Sequence, residues 1–213
     1  MVAVAARTRI ALMAGCGDAG CARTAWEMHR KLDMPGYTRG VSVLALPSAF
    51  RGWQEAHRTA RKRQARAARL GYRFDHIDRS EHSDEIYAIN TSMAERQGRP
   101  MAAGYLERHK YAPLPEQPCD LHRIYTYGVL RHDRLVAYLV LHRVGELALV
   151  SQILGHGAHL ADDVMYLLAA GTIEEQTPLG GFVYYNRHDS GTSGLVYFKE
   201  RLGFAAADVE WLL

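Results

Sequence analysis

Two stretches of this chain carry residue types suited to chemistry on an anionic or acyl ligand. The first is Gln152-Ile153-Leu154-Gly155-His156-Gly157, where glycines close an apolar run. Glycines after a strand let successive backbone N–H groups converge on a phosphate, and the next helix adds the positive end of its dipole. The same glycines would equally serve an ordinary strand-to-helix turn. The second stretch is cationic: Arg51, Arg58, Arg61, Lys62, Arg63, Arg66 and Arg69 stand against the single acid Glu55. Arg58, Lys62, Arg66, Arg69 and Arg73 recur at steps of three or four, which on a helix forms one stripe. Such a stripe is either a solvated face or a surface that contacts phosphates. His156, His159, Asp162, Asp163, His188 and Asp189 are candidates for moving a proton. For Asp162 and Asp163 the alternative is the first turn of a helix, where acids complement the dipole.

Composition narrows the class. The 213 residues are 48% hydrophobic and 23% charged, which suits one globular domain with a full core and argues against disorder. The net charge of +3 is too small to prove an anionic partner, so the placement of the cations matters more. Three cysteines, Cys16, Cys21 and Cys119, do not make a disulfide framework. No Cys or His stands at zinc-ligand spacing around Cys16 and Cys21, so no metal site is expected. No apolar run approaches the length of a membrane span. Met13-Ala14-Gly15-Cys16 resembles a lipoprotein cleavage site, but Ile10 to Ala14 is too short for its apolar region. A cytoplasmic protein without membrane contact is expected.

The order of elements follows from period and punctuation. A strand over Arg9 to Ala14, a glycine-rich turn and a helix over Thr24 to Leu32 form an N-terminal extension, residues 1–40. The turn spells Gly15-Cys16-Gly17-Asp18-Ala19-Gly20, a GxGxxG, but the remaining strands of a dinucleotide-binding sheet do not follow. Residues 41–213 form the main domain. Val41 to Leu46 reads as a strand, and one helix is predicted from Ser48 to Leu70, stopped by Gly71. Ala56, Ala60, Ala67 and Leu70 lie opposite its cationic stripe. Tyr72 to Ile77 reads as a strand, and Ser83 is placed as the cap of a helix reaching Arg96. A further helical stretch is predicted over Ala102 to Lys110. Three strands follow, Arg123 to Arg131, Leu135 to Arg143 and Glu146 to Leu154, joined by turns short enough to force antiparallel hairpins. After the glycine loop come a helix to Gln176, a strand over Gly181 to Tyr185, a helix over Gly194 to Leu202 and a last strand from Ala207. The fold class is α/β (α+β), with a mixed, mostly antiparallel sheet flanked by helices.

This order of elements is similar to that of the GNAT acyltransferase superfamily over about Val41 to Leu213. Gln152 to Gly157 resembles its Q/R-x-x-G-x-G/A segment, and Phe198-Lys199-Glu200-Arg201-Leu202-Gly203-Phe204 its F-Y-x-K-L-G-F helix end. Lys199 stands where the family's usual tyrosine protonates the leaving thiolate. A Phe-Lys pair, and an Arg- and Lys-rich helix closing on Gly71-Tyr72, look more like the Fem-type transferases. Those relatives share the fold but draw an aminoacyl group from charged tRNA. Classical Fem proteins have two such domains and this chain has one.

What the resemblance implies is an enzyme that forms an amide by attack of an amine on an ester or thioester. The acceptor would be a small molecule or a polymer. Two donors compete, and neither implies a tightly bound cofactor. The glycine loop speaks for acyl-coenzyme A, held by Gln152, Gly155, His156, Gly157 and Asn186. Lys199 and the stripe of Arg58, Lys62, Arg66, Arg69 and Arg73 speak for aminoacyl-tRNA, the favoured donor. Backbone N–H groups near Ser151 to Ile153 would stabilise the oxyanion, Lys199 would protonate or steady the leaving oxygen, and Asp163 would serve as base. Arg96 and Arg99 are placed on the acceptor side, where they could hold a carboxylate or phosphate. A nucleic-acid-binding protein without acyl transfer is the alternative of another class. A scaffold with no ligand is the weakest reading.

Overall fold

The protein's structure, a computed structural model, describes residues 7–15, 17, 19–31, 37–117 and 119–212. The glycine-rich turn falls partly outside them, since Cys16 and Asp18 are not described. In chain order the elements are β1 (Arg7–Ala11), α1 (Ala19–Lys31), β2 (Tyr37–Ala45), α2 (Phe50–Ala56), α3 (Arg58–Arg69) and β3 (Arg73–His76). Then come α4 (Ser83–Thr91), β4 (Glu95–Arg96), β5 (Arg99–Pro100), α5 (Ala103–Leu106), β6 (His122–Arg131), β7 (Arg134–Val144) and β8 (Leu147–Gly155). The chain closes with α6 (Val164–Gln176), β9 (Phe182–Arg187), α7 (Ser193–Leu202) and β10 (Ala205–Leu212).

The apolar run of β7 organises the sheet. Nearly all its residues are buried, because helices cover both faces. Ala137, Leu139 and Leu141 point to the side of α2, α3, α6 and α7, whereas Tyr138 and Val140 meet α4. β6, β7 and β8 form the expected antiparallel meander. His132 and Asp133 both take positive φ, 49° and 58°, as a two-residue hairpin of the right-handed twist requires. Eight strands lie in the order β1-β10-β2-β9-β8-β7-β6-β3, parallel only at β1–β10 and β8–β9. The sheet is mixed and mostly antiparallel, as read from the sequence.

Several local expectations are corrected. β1 pairs with β10, and Ile10, Leu12 and Ala25 share one cluster with Val41, Val209 and Trp211. The N-terminal segment is therefore part of the common sheet, and the boundary at residue 40 cuts through β2. The long helix predicted from Ser48 breaks at His57 (φ −111°, ψ 57°). The break lets Trp53 donate its indole N–H to the Leu202 carbonyl (2.8 Å) while α3 lies along α6. Of the four residues opposite the stripe, Ala60 and Ala67 are buried, but Ala56 and Leu70 are exposed. Gly71, at φ +86°, is the stop it was expected to be. Ser83 is not a cap. It opens α4 and hydrogen-bonds the Arg79 and Ser80 carbonyls, and the helix ends at Thr91.

Two charged side chains among the described residues are fully buried, Lys199 on α7 and Arg143 on β7. Arg143 is 0% exposed, and its guanidinium donates to the carbonyls of Gly145 (2.8 Å), Leu179 (3.0 Å) and Gly180 (2.7 Å). A longer bond reaches Gln176 Oε1 (3.4 Å), and the Gln176 amide donates to the Tyr127 hydroxyl (2.8 Å). Arg143 thus ties the β7–β8 turn to the segment between α6 and β9.

Candidate active site

β8 and β9 are parallel neighbours over only three pairs, Leu147–Phe182, Ala148–Val183 and Leu149–Tyr184. Beyond them the strands part. The opening leads to a mostly apolar cleft of about 280 Å³, lined by Ile153, Gly155, Met165, Tyr185, Leu195 and Phe198 among others. Within β8 the register with β7 slips, so that Leu141 faces Val150 and Val140 faces Gln152. Ser151 is the extra residue of this β-bulge. Its hydroxyl donates to the Val140 carbonyl (3.1 Å). A bulge takes its extra residue out of the ladder and re-aims the strand end, which suits backbone donors at a reacting carbonyl.

Gly155 ends β8 with a packing reason for its identity. A Cβ there would lie 2.6 Å from Met165 Sδ and 2.9 Å from Leu160 Cδ2. The loop after it does not have the form a phosphate cradle needs. The Gly157 N–H donates to Ser92 Oγ (3.0 Å), the Ala158 N–H to His156 Nδ1 (3.3 Å) and the His159 N–H to the His156 carbonyl (2.9 Å). These donors are already engaged within the chain.

Arg96 holds the loop in place. The guanidinium donates to the carbonyls of Gly155 (2.9 Å) and Ile89 (2.8 Å) and to Ser92 Oγ (3.1 Å). It clamps the end of β8 to α4 while lining the cleft. Burial pushes its pKa below the ordinary arginine value. Arg99 stands exposed on β5, with no ion pair among the described residues.

Asp163 is held as well. It is 8% exposed, takes φ +64° before α6, and accepts from Arg63 Nη1 (3.0 Å) and Arg66 Nη1 (2.9 Å). Two guanidiniums hold its carboxylate, so it is a structural acid rather than a free base. Asp162 lies beside it, accepting from the Tyr72 hydroxyl (2.7 Å). Arg131 donates to the same hydroxyl (3.0 Å), and His159 Nδ1 is 2.8 Å away. Because Tyr72 gives its one proton to Asp162, His159 must present Nδ1–H. Two carboxylates thus stand beside the start of α6, held by Arg63, Arg66 and Tyr72.

The cationic stripe divides. Arg66 is engaged with Asp163, and Arg73 pairs with Asp75 and Asp133. Arg58, Lys62 and Arg69 are exposed and have no ion pair among the described residues. A shallow groove of about 490 Å³ runs beside α3 past Arg61, Lys62, Arg63, Arg66, Arg69 and Asp163. Five cations face one acid there.

Lys199 sits elsewhere than the resemblance implies. It is 0% exposed, and Nζ donates to the Arg187 carbonyl (2.6 Å) and, at longer range, to Ser190 Oγ (3.4 Å). Burial lowers its pKa. Direct protonation of a leaving group does not fit this geometry. Its ammonium instead lies 5.0 Å from the centre of the Tyr185 ring, which lines the cleft, and fixes the β9–α7 connection. Asn186, at φ +54°, accepts from the Arg187 N–H (2.7 Å) and is exposed. Gln152 turns away from the cleft towards a second cavity of about 390 Å³, lined by Arg79, Asn90, Tyr105, His109 and Tyr111. β8 therefore borders both cavities, Ile153 and Gly155 on one and Gln152 on the other.

Tyr72, Arg131, Tyr185 and Phe198 are the site residues that sequence spacing did not single out for these contacts. Phe198 had a signal as part of the helix-end motif, and Tyr72 as the residue that closes the cationic helix. His57 and His159 give the region a pH response. Burial lowers both pKa values, and for His159 the neighbouring His156 and Arg131 lower it further. Between those lowered values and about 6.5 the unfolded chain binds more protons, so stability falls as pH falls. Thermal denaturation from pH 7.5 to 5 should show this loss, and H57Q/H159Q should flatten it. An unchanged slope in the double variant would assign the response to other groups.

No protein-family model and no curated protein matches the sequence. Solved structures do. FemX matches at 10% identity with a TM-score of 0.59, covering 86% of this chain and 67% of that one. The C-terminal domain of a protein described as a lysylphosphatidylglycerol synthetase, from Agrobacterium fabrum, matches at 14% identity and a TM-score of 0.50. That match covers 81% of this chain, which spans only 60% of the solved domain. A GCN5-related N-acetyltransferase from Kribbella flavida reaches a TM-score of 0.46 at 14% identity, covering 89% of this chain and 62% of that one. With its meander, bulged β8, parted β8–β9 pair and closing strand β10, the chain has the GNAT fold towards which its sequence motifs pointed.

Proposed function

We propose that this chain is an acyltransferase that takes an aminoacyl group from charged tRNA and passes it to an amine. One observation supports the choice of donor: Asp162 and Asp163 place negative charge beside the start of α6, and the Gly157, Ala158 and His159 N–H groups are engaged, which disfavours a coenzyme pyrophosphate there. Phosphates have a different landing place, the exposed cations of α3. The 3′ end of a tRNA lying along that groove would direct its ester towards the cleft between β8 and β9. The acceptor would come from the Gln152 side, which places donor and amine on the two sides of one strand.

In this reading the amine nitrogen bonds to the ester carbon and the bond to the ribose oxygen breaks. One proton leaves the amine for water and one reaches the departing ribose oxygen. The chain's part is to hold the carbonyl near the Ser151 bulge, to exclude water with Tyr185, Phe198 and Met165, and to keep that geometry through Lys199 and Arg96.

The test measures binding of the nuclease-treated protein to charged and uncharged tRNA, alongside thermal shifts with acetyl-coenzyme A. Preference for charged tRNA, with release of its amino acid to an amine, is the expected result. A ligand at 100 times its dissociation constant adds about 2.7 kcal/mol. A coenzyme shift of that size with unselective RNA binding would replace this reading by an acyl-coenzyme A enzyme.

A further inference from the structure

At the opposite end of β8 from the cleft, tertiary folding assembles three soft or borderline ligands that sequence spacing keeps apart. Cys21 on α1 meets Cys119 and His122, which stand just before and at the start of β6. One ligand atom from each, two sulfurs and a ring nitrogen, lie within 4.8 Å of one another. Sequence spacing around Cys21 gives no sign of these partners, since Cys119 and His122 lie about 100 residues further along the chain.

The geometry within the cluster is specific. His122 is 2% exposed, and its Nε2 lies 3.0 Å from the Leu12 carbonyl. A carbonyl can only accept, so Nε2 carries a proton, and in the neutral ring Nδ1 has the lone pair. That lone pair faces Cys119 Sγ at 3.5 Å. Two tetrahedral zinc ligands, with bonds of about 2.3 Å to sulfur and about 2.0–2.1 Å to nitrogen, stand about 3.5 Å apart. A metal-binding histidine ordinarily gives its other N–H to a carbonyl or carboxylate, which orients the ring and raises its basicity. Leu12 supplies that carbonyl. Cys21 is 4% exposed, and the sequence Cys119-Asp120-Leu121-His122 has the two-residue spacing of a chelating pair. Gly15 packs on this turn so closely that a Cβ would meet the Leu121 side chain.

We infer that Cys21, Cys119 and His122 form a zinc site that fastens α1 and the β1 end of the sheet to β6. The donor set of two thiolates and one imidazole suits zinc, and the three ligands leave a fourth tetrahedral position that water would take. Binding releases the two thiol protons to solvent, and no oxidation is involved. The inference is independent of the donor proposed above, because it concerns the other end of the molecule.

The first test is the metal content of the full chain, purified without chelator and then dialysed against zinc. About one zinc per chain is expected, falling to well under 0.2 in C119S and H122A. Cobalt added to the metal-free protein should give intense thiolate-to-cobalt charge-transfer absorption. Should the variants fail to fold, alkylation of the wild type keeps the question open to decision: zinc, but not magnesium, should slow labelling of Cys21 and Cys119 at least tenfold. A folded wild type that holds no zinc and is labelled at one rate in both metals would overturn the site. So would a Cys21–Cys119 disulfide in the intact mass, or a merely thiol–imidazole contact indifferent to zinc.

Discussion

Replacing Arg58, Lys62 and Arg69 together by alanine should weaken binding of charged tRNA about a hundredfold at physiological salt. Each phosphate contact contributes about 0.7–0.9 to the slope of log affinity against log salt, so three contacts remove about 2–3 from it. At 0.15 M salt a slope change of that size is about two decades in affinity. The variant should fold normally, because all three side chains are exposed and lack ion pairs among the described residues, and alanine favours helix. Binding titrations at three salt concentrations measure both quantities. A control, R51A, alters the solvent-facing pair with Glu55 on α2 and should leave the slope within about half a unit. If the triple variant binds with unchanged slope, the free half of the stripe is a solvated face and the RNA route must be sought elsewhere.

The largest stability effect should come from Arg143→Ala. The substitution leaves the carbonyls of Gly145, Leu179 and Gly180 without their donor and opens a cavity beside Gln176. Each orphaned buried acceptor costs about 1–3 kcal/mol, so the loss of donors to three carbonyls, partly offset by relaxation, should cost about 3–5 kcal/mol. For a chain of this size that is a fall of about 6–20 °C in Tm. Burial lowers the Arg143 pKa to about 10, so the group remains charged at neutral pH and its hydrogen bonds persist there. Arg143→Lys should recover part of the loss, since an ammonium lacks the planar fork that reaches three carbonyls. A cost under about 1 kcal/mol for the alanine variant, by thermal and denaturant unfolding together, would show that water satisfies those carbonyls instead.

Arg143 and Arg96 share a design. Each guanidinium collects backbone carbonyls from segments distant in sequence, one at either end of β8. Arg143 ties the β7–β8 turn to the segment before β9, and Arg96 ties the far end of β8 to α4, so both bear on where β8 lies beside the cleft. Variants at either position would therefore be expected to alter activity through geometry, which separates them from residues that touch substrate.

By itself the sequence determined the order of elements and the antiparallel meander. Period-two alternation, short polar turns and glycine stops act over a few residues, so they can be read without knowing what packs where. It also marked Gly155 and Gly71, whose conformational and packing demands are local. It placed the exposed cations of α3 correctly, because a three-or-four-residue step needs only the helix. Tertiary structure decided the rest. His57 looks like any helical residue, and the break there exists because Trp53 docks on Leu202 while α3 must follow α6. Asp163 and Lys199 carry the residue types of catalysis, but the arrival of Arg63, Arg66 and the Arg187 carbonyl turns both into supports. Cys21, Cys119 and His122 become neighbours only because β1 joins the far edge of the sheet and carries α1 over β6. Partners brought together by long loops leave no periodic trace in the chain, since what joins them is the burial of a common core.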